Sequence, residues 1–94
     1  MYQKSTLYNK TLTLADTEYS QALPTDTRKV LISERSGGAD LKLAYVSGES
    51  GTKFITIRAG SSKYLEGVYL SGVTLYMQSP TAGAVIEIEV WQDQ

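Results

Sequence analysis

The sequence contains no histidine and no cysteine, and these two absences narrow its chemistry. Without histidine, neither Ser-His nor Cys-His nucleophilic machinery can be built. The same two absences remove the usual ligands of zinc. Small extracellular domains often use disulfides to compensate for a small core, and this chain cannot. We therefore expect no catalytic residues, no metal and no cofactor, and a stability that comes from an ordered sheet or from bound neighbours.

Long apolar runs and an excess of charge are also missing. No stretch approaches the ~20 apolar residues that a membrane-spanning helix needs, and residues 1–5 lack the apolar core of a signal peptide. Nine basic and 10 acidic residues give a net charge of -1, whereas binding along a phosphate backbone needs a basic excess. We expect a soluble protein made in the cytoplasm, with no nucleic-acid partner and no membrane partner.

Apolar residues recur with a period of two through most of the 94 residues, a length that suits one domain. Runs with this period, rich in β-branched and aromatic residues, are typical of strands with one buried and one solvated face. The runs are 29–35, 41–46, 54–58, 73–78 and 85–91. The pattern predicts an all-β fold: an antiparallel β-sandwich of seven to eight short strands, with a jelly-roll-like arrangement as one form of it.

The alternation in the last run, 85–91, indicates which of its side chains face the core. Ile86 and Ile88 alternate with Glu87 and Glu89, so we expect the isoleucines in the core and the glutamates in solvent. Trp91 then lies on the glutamate face. The two carboxylates would be about 7 Å apart, near the spacing of paired glycosidase acids, but a solvated face is the stronger interpretation.

Three glycine-bearing breaks separate the runs, at 36–40, 47–51 and 79–83. Glycine supplies positive φ and proline fixes φ, so each break is predicted to be a tight hairpin connection.

The N-terminal part differs from the rest because no glycine precedes Gly37. Residues 1–23 form either an extended arm that pairs with a neighbouring subunit or the edge strand of the sandwich. Residues 24–94 form the body of the single domain. An arm would leave a body from Thr25 onward that folds without it.

Seven tyrosines, one phenylalanine and one tryptophan are many aromatic residues for a small core. Tyr45 and Phe54 are expected to pack inside. Tyrosine is enriched at interfaces, so we expect some of the others, with exposed apolar residues near them, at a protein contact. The candidates are Tyr2, Leu7, Tyr8, Tyr19, Tyr64 and Tyr69. Stacking of sugars on Trp91 and tyrosines is the alternative use.

Four acids, Asp16, Glu18, Asp26 and Asp40, are of the type that binds calcium. Their spacing matches no calcium-binding loop. We interpret them as turn and edge acids.

Two segments, 54–62 and 72–88, resemble small structural proteins encoded by tailed bacteriophages. The likeness covers about residues 28–91 and consists of a strand-turn-strand pattern, so no functional residue can be transferred. It implies a β-sandwich virion protein: a capsid decoration (cement) protein that binds the major capsid protein at the capsid surface. It also implies a homo-oligomer, with a trimer favoured.

Two alternatives remain open. The first is a neck, tail or fibre-base component of the virion. The second is a glycan-binding adhesion module that uses exposed aromatic residues.

Overall fold

Eight β-strands and no helix make up the part of the chain that the computed structural model describes, residues 3–66 and 70–93. Within these ranges, no helix could cross a membrane. The strands are β1 (Gln3–Leu12), β2 (Tyr19–Ala22), β3 (Thr27–Glu34), β4 (Leu41–Ala44), β5 (Ile55–Ile57), β6 (Ser62–Glu66), β7 (Thr74–Gln78) and β8 (Ala84–Asp93). The predicted all-β class and strand number are confirmed.

The strands form two four-stranded antiparallel sheets, in the orders β1-β8-β3-β6 and β2-β7-β4-β5. The first strand pairs with the last, the second with the seventh, the third with the sixth and the fourth with the fifth. The chain is thus one long hairpin rolled over on itself, which is the connectivity of an eight-stranded jelly roll. The predicted antiparallel sandwich is confirmed.

The core lies between the two sheets, where alternate residues of each strand meet. In β8, Ile86 is 0% and Ile88 is 1% exposed, whereas Glu87 is exposed. Glu89 and Trp91 are half-buried on the outer face with Glu87. The predicted phase of this strand is confirmed.

Two of the three breaks predicted as hairpins connect the sheets instead. Residues 47–51 lie in a true hairpin loop, because β4 and β5 pair with each other. Residues 36–40 lead from β3 to β4, and 79–83 lead from β7 to β8, each crossing from one sheet to the other. Gly37 and Gly83 do have positive φ, of 73° and 81°. A turn residue permits a reversal, but the packing of the sheets decides which strand the chain meets next.

Residues 3–22 supply one edge strand to each sheet. β1 pairs with β8 over its whole length, and β2 pairs with β7. Leu12 and Leu23 are buried in the core, at 0% and 4% exposure. The described part of segment 1–23 is therefore edge strand and not a separate arm.

Candidate functional site

Four large apolar side chains are exposed together at the end of the sandwich where β4 leads into β5. Tyr45 is 43%, Val46 55%, Phe54 37% and Ile55 45% exposed. They line a groove of about 290 Å³. We call these four residues the β4–β5 patch. The expectation that Tyr45 and Phe54 belong to the core is wrong.

The short strands around the patch explain why it is exposed. β4 ends at Ala44, so the chain leaves the sheet just before Tyr45. β5 has only 3 residues and forms the edge of its sheet, so Ile55 has no neighbour on its outer side among the strands that the structure describes. Phe54 is partly covered by Lys42, whose Nζ lies 5.0 Å from the ring centroid, a distance typical of a cation–π contact.

Burial by the neighbouring apolar side chains raises the pKa of the Tyr45 hydroxyl. The phenol therefore stays neutral at physiological pH. The patch thus presents a neutral surface to a partner.

Glu18 holds the loop that carries the patch. Its Oε1 accepts hydrogen bonds from the Ser50 hydroxyl at 2.5 Å and the Ser50 N–H at 3.1 Å, and its Oε2 accepts from the Gly48 N–H at 2.9 Å. The Ser50 hydroxyl in turn accepts from Gln78 Nε2 at 2.9 Å, which ties the loop to β7. These hydrogen bonds, led by that of the Ser50 hydroxyl, lower the pKa of Glu18 and keep it ionised.

Glu34 holds the 35–40 loop in a similar way. The Ser36 hydroxyl and N–H donate to its Oε2 at 2.6 and 3.0 Å, and the Ala39 N–H donates to Oε1 at 3.3 Å. Glu34 is only 5% exposed. Burial raises its pKa, but the hydrogen bonds from Ser36, Ala39 and Gly37 outweigh burial, and the net pKa is lowered.

The acids considered as calcium ligands serve the loops individually. Asp40 Oδ1 accepts from the Ala59 N–H at 2.8 Å, and Glu18 binds the loop described above. Asp16 and Asp26 occupy left-handed backbone positions, with φ of 54° and 60°, which aspartate tolerates at turns. Among residues 3–66 and 70–93, no cluster of three acids suitable for a metal ion is formed.

A second exposed surface is the outer face of the β1-β8-β3-β6 sheet. The strand register aligns one residue from each strand in a row, which reads Leu7, Glu89, Leu31 and Tyr64. Leu7 is 70% and Tyr64 48% exposed, at the two edges of the sheet. Leu7 and Leu31 also line a groove of about 310 Å³ over β8.

The glutamates of β8 are engaged with neighbours on this outer face. Arg35 Nε lies 2.9 Å from Glu87 Oε2, and the Ser5 hydroxyl donates to Glu89 at 3.3 Å. This arrangement matches the solvated face that the sequence predicted.

Tyr64 also contacts Trp91. The ring centroids are 6.5 Å apart and the ring planes meet at 77°. An edge-to-face pair is a common aromatic geometry, but it gives no flat two-ring platform for a sugar.

The structure places the predicted interface residues in three different settings. Leu7 and Tyr64 are exposed on the outer face, as described above. Tyr8 and Tyr19 are half-buried and pack against the core. Tyr2 and Tyr69 lie outside the described residues. The structure thus brings none of the described candidates into the β4–β5 patch.

Sequence reasoning missed the patch residues Val46 and Ile55, and it assigned Glu18 no specific partner. A usable signal was the apolar pair Tyr45-Val46 directly before the turn residues 47–48.

Comparison of this chain with models of protein families, with curated proteins and with solved structures finds no match. Fold and surface together define the class: an eight-stranded jelly roll with an exposed apolar patch beside the β4–β5 loop. Jelly rolls serve many functions, so the function has to be argued from the surfaces.

Proposed function

We propose that the protein is a structural component of a tailed-bacteriophage virion, a decoration protein that binds the major capsid protein through the β4–β5 patch. The observation that carries the proposal is the contiguous exposure of Tyr45, Val46, Phe54 and Ile55. The resemblance of segments 54–62 and 72–88 to small phage structural proteins supplies the biological setting.

The patch has the composition of a protein-binding surface. Contiguous exposed apolar patches on small soluble domains usually mark interaction sites. Tyrosine and phenylalanine are enriched in the centres of interfaces, where charged residues are rare. Glu49 and Lys53 line the same groove as the patch and supply a charged rim. A partner would bury the apolar centre and pair with the rim.

Glu18 makes the patch a preorganised surface. Its hydrogen bonds to Gly48 and Ser50 fix the loop before any partner arrives. A loop that is already ordered loses less conformational entropy on binding, which favours affinity. Glu18 is therefore a positioning residue for the patch.

A decoration protein acts through binding free energy. Binding only to the assembled particle stabilises that state by mass action. Modest contacts repeated in many copies add up to a large total. No catalytic group is needed for this role.

The experiment is co-sedimentation of the protein with assembled phage capsids that lack it. We expect the wild-type protein to bind, Phe54→Lys to lose most of that binding, and Leu14→Lys to bind normally. Leu14 is the matched control because it is 60% exposed and lies outside the patch. Failure of the wild type to bind, or wild-type binding by Phe54→Lys, would overturn the proposal.

The number of copies per particle separates the alternatives within the virion. Hundreds of copies indicate the capsid surface, whereas a small multiple of three, five or six indicates a neck, tail or fibre-base position. Binding to an immobilised glycan panel that Phe54→Lys abolishes would favour the adhesion module, because jelly rolls also occur in lectins.

A further inference from the structure

The two edge strands of the first sheet run in opposite directions. β1 is antiparallel to β8, β8 to β3, and β3 to β6. Because each pairing reverses the direction, β1 and β6 are themselves antiparallel. The β6 edge of one copy can therefore lie beside the β1 edge of another copy and continue the antiparallel sheet.

We propose that copies of this chain associate head to tail, with β6 of one copy pairing with β1 of the next and Tyr64 directly opposite Leu7. This interface uses a surface separate from the β4–β5 patch, so it does not depend on the proposed role in a virion. It is a heterologous contact, of the kind that closes into a ring or continues as a filament.

The register follows from the row on the outer face. Within one copy the row ends at Leu7 on one edge and Tyr64 on the other. Continuing the row without stagger places Tyr64 beside Leu7 of the next copy. These are large apolar residues with 48% and 70% of their surface exposed, and each would cover the other. Removing this exposed apolar surface from water favours the association.

The two lysines of β1, Lys4 and Lys10, disfavour the neighbouring registers. The unstaggered register pairs residues 62–66 with residues 5–9 and leaves Lys4 and Lys10 just outside the ladder. A shift by two residues in one direction brings Lys63 opposite Lys10. The opposite shift brings Leu65 opposite Lys4. Like charges directly opposite each other destabilise a ladder, and a lysine opposite leucine gains nothing.

A two-fold pairing of β1 with itself is also disfavoured when it is centred on Leu7. That arrangement places Lys4 opposite Lys10 twice. In the head-to-tail ladder, Lys63 lies instead opposite Tyr8, where its aliphatic stem can cover the ring.

The β1 edge is long and regular, and its two lysines, Lys4 and Lys10, lie outside the stretch 5–9 that the proposed ladder uses. Natural edge strands are often short or interrupted by proline or a bulge. β1 has 10 residues without proline or glycine, and its pairing with β8 runs through ten positions without a register shift. It is a regular template for an added strand.

Disulfide trapping tests the proposal, because the chain has no cysteine of its own. A Leu7→Cys chain is mixed with a Tyr64→Cys chain under mild oxidation and analysed by non-reducing electrophoresis. Directly opposite residues have Cβ atoms about 5 Å apart, close enough for a disulfide after small adjustments. We expect the mixed disulfide to form at least about tenfold faster than between chains that associate at random.

The double variant Leu7→Cys/Tyr64→Cys gives a second readout. Within one copy the two positions are separated by β8 and β3, about 14 Å at the usual strand spacing, which no disulfide spans. We therefore expect a ladder of linked copies and no internal bond. Circular dichroism of each variant checks that the sheets are intact, since both positions are exposed.

Two control variants measure the rate of disulfide formation at positions that the proposed ladder does not place opposite each other. Ser62→Cys lies two residues from position 64 on the same face of β6, so with Leu7→Cys it reports on the register. Leu14→Cys replaces an exposed leucine outside the strands. The proposal is overturned if the position 7 and 64 pair forms no faster than these controls. It is also overturned if Leu7→Cys alone or Tyr64→Cys alone dimerises as fast as the mixture.

Discussion

The Ser50 hydroxyl donates a 2.5 Å hydrogen bond to the Glu18 carboxylate, and this contact joins the segment before β2 to the loop between β4 and β5. The two residues are 32 positions apart in the chain. The loop they fix is the one that carries the β4–β5 patch. Loss of this hydrogen bond should therefore affect both the stability of the fold and the proposed binding through the patch.

We expect Ser50→Ala to lower the free energy of unfolding by about 1–3 kcal/mol, because it leaves the amide of half-buried Gln78 without its partner and removes the hydroxyl hydrogen bond to Glu18. Binding to undecorated particles should fall with it. Ser47→Ala, in the same loop but outside the residues that line the groove, is the control and should change both quantities little. Denaturant unfolding and co-sedimentation measure the two effects. Unchanged binding by a destabilised Ser50→Ala would show that the hydrogen bonds between Glu18 and Ser50 do not position the patch for binding.

Stability should fall as the pH is lowered into the acid range. Hydrogen bonds hold the folded-state pKa of both Glu18 and Glu34 below the ordinary value of 4.5. A lowered folded-state pKa contributes stability that is complete above the unfolded-state pKa and is lost as the pH falls through the folded-state pKa. Urea unfolding between pH 7 and pH 3 measures this dependence. Glu34→Gln should make it shallower, and an unchanged slope would contradict the assignment.

In β8, neighbouring residues should respond very differently to substitution. Ile88→Ala should cost about 2–5 kcal/mol through lost burial and a cavity, because Ile88 is 1% exposed. Glu87→Gln should cost no more than about 0.5 kcal/mol, because its ion pair with Arg35 is exposed. Chemical denaturation of both variants is the measurement. Equal large losses would mean that the strand phase is wrong.

In β5, residues on the same face should also differ. Ile55→Lys should fold, because Ile55 is 45% exposed at the patch. Ile57→Lys should fail to fold or lose several kcal/mol, because Ile57 is 4% exposed and a charge would be buried in the core. Circular dichroism and thermal unfolding distinguish the two. A folded, stable Ile57→Lys protein would contradict the described core.

Deletion of residues 1–24 should unfold the protein. The deletion removes β1 and β2, exposes the edges of β8 and β7, and takes Leu12 and Leu23 from the core. Circular dichroism of the remaining chain from Thr25 measures the outcome. A folded, soluble fragment would restore the interpretation of this segment as an arm.

The sequence alone was sufficient for the strand class and for the phase of strands with clear alternation. Ile86, Glu87 and Ile88 could be assigned to their faces because a strand turns each successive side chain to the opposite side. Glu18 could be recognised as a turn or edge acid, but its partner Ser50 lies too far along the chain for any local pattern to indicate.

The exposure of the β4–β5 patch could not be predicted from the sequence for a different reason. Tyr45 and Phe54 have the residue types of a core, and local alternation placed Tyr45 on the face of Leu43. Their exposure results from where β4 ends and from the position of β5 at the edge of its sheet.

The sequence by itself determined that this protein is a sandwich of antiparallel strands, because alternation with a period of two is a local property of the chain. Only the tertiary structure decided that 36–40 and 79–83 cross between sheets, that β1 closes one sheet as an edge strand beside β8, and that a core-like pair remains exposed. These outcomes depend on which strands meet across the fold. Pairing between distant strands is a non-local choice, set by the packing of the two sheets as a whole.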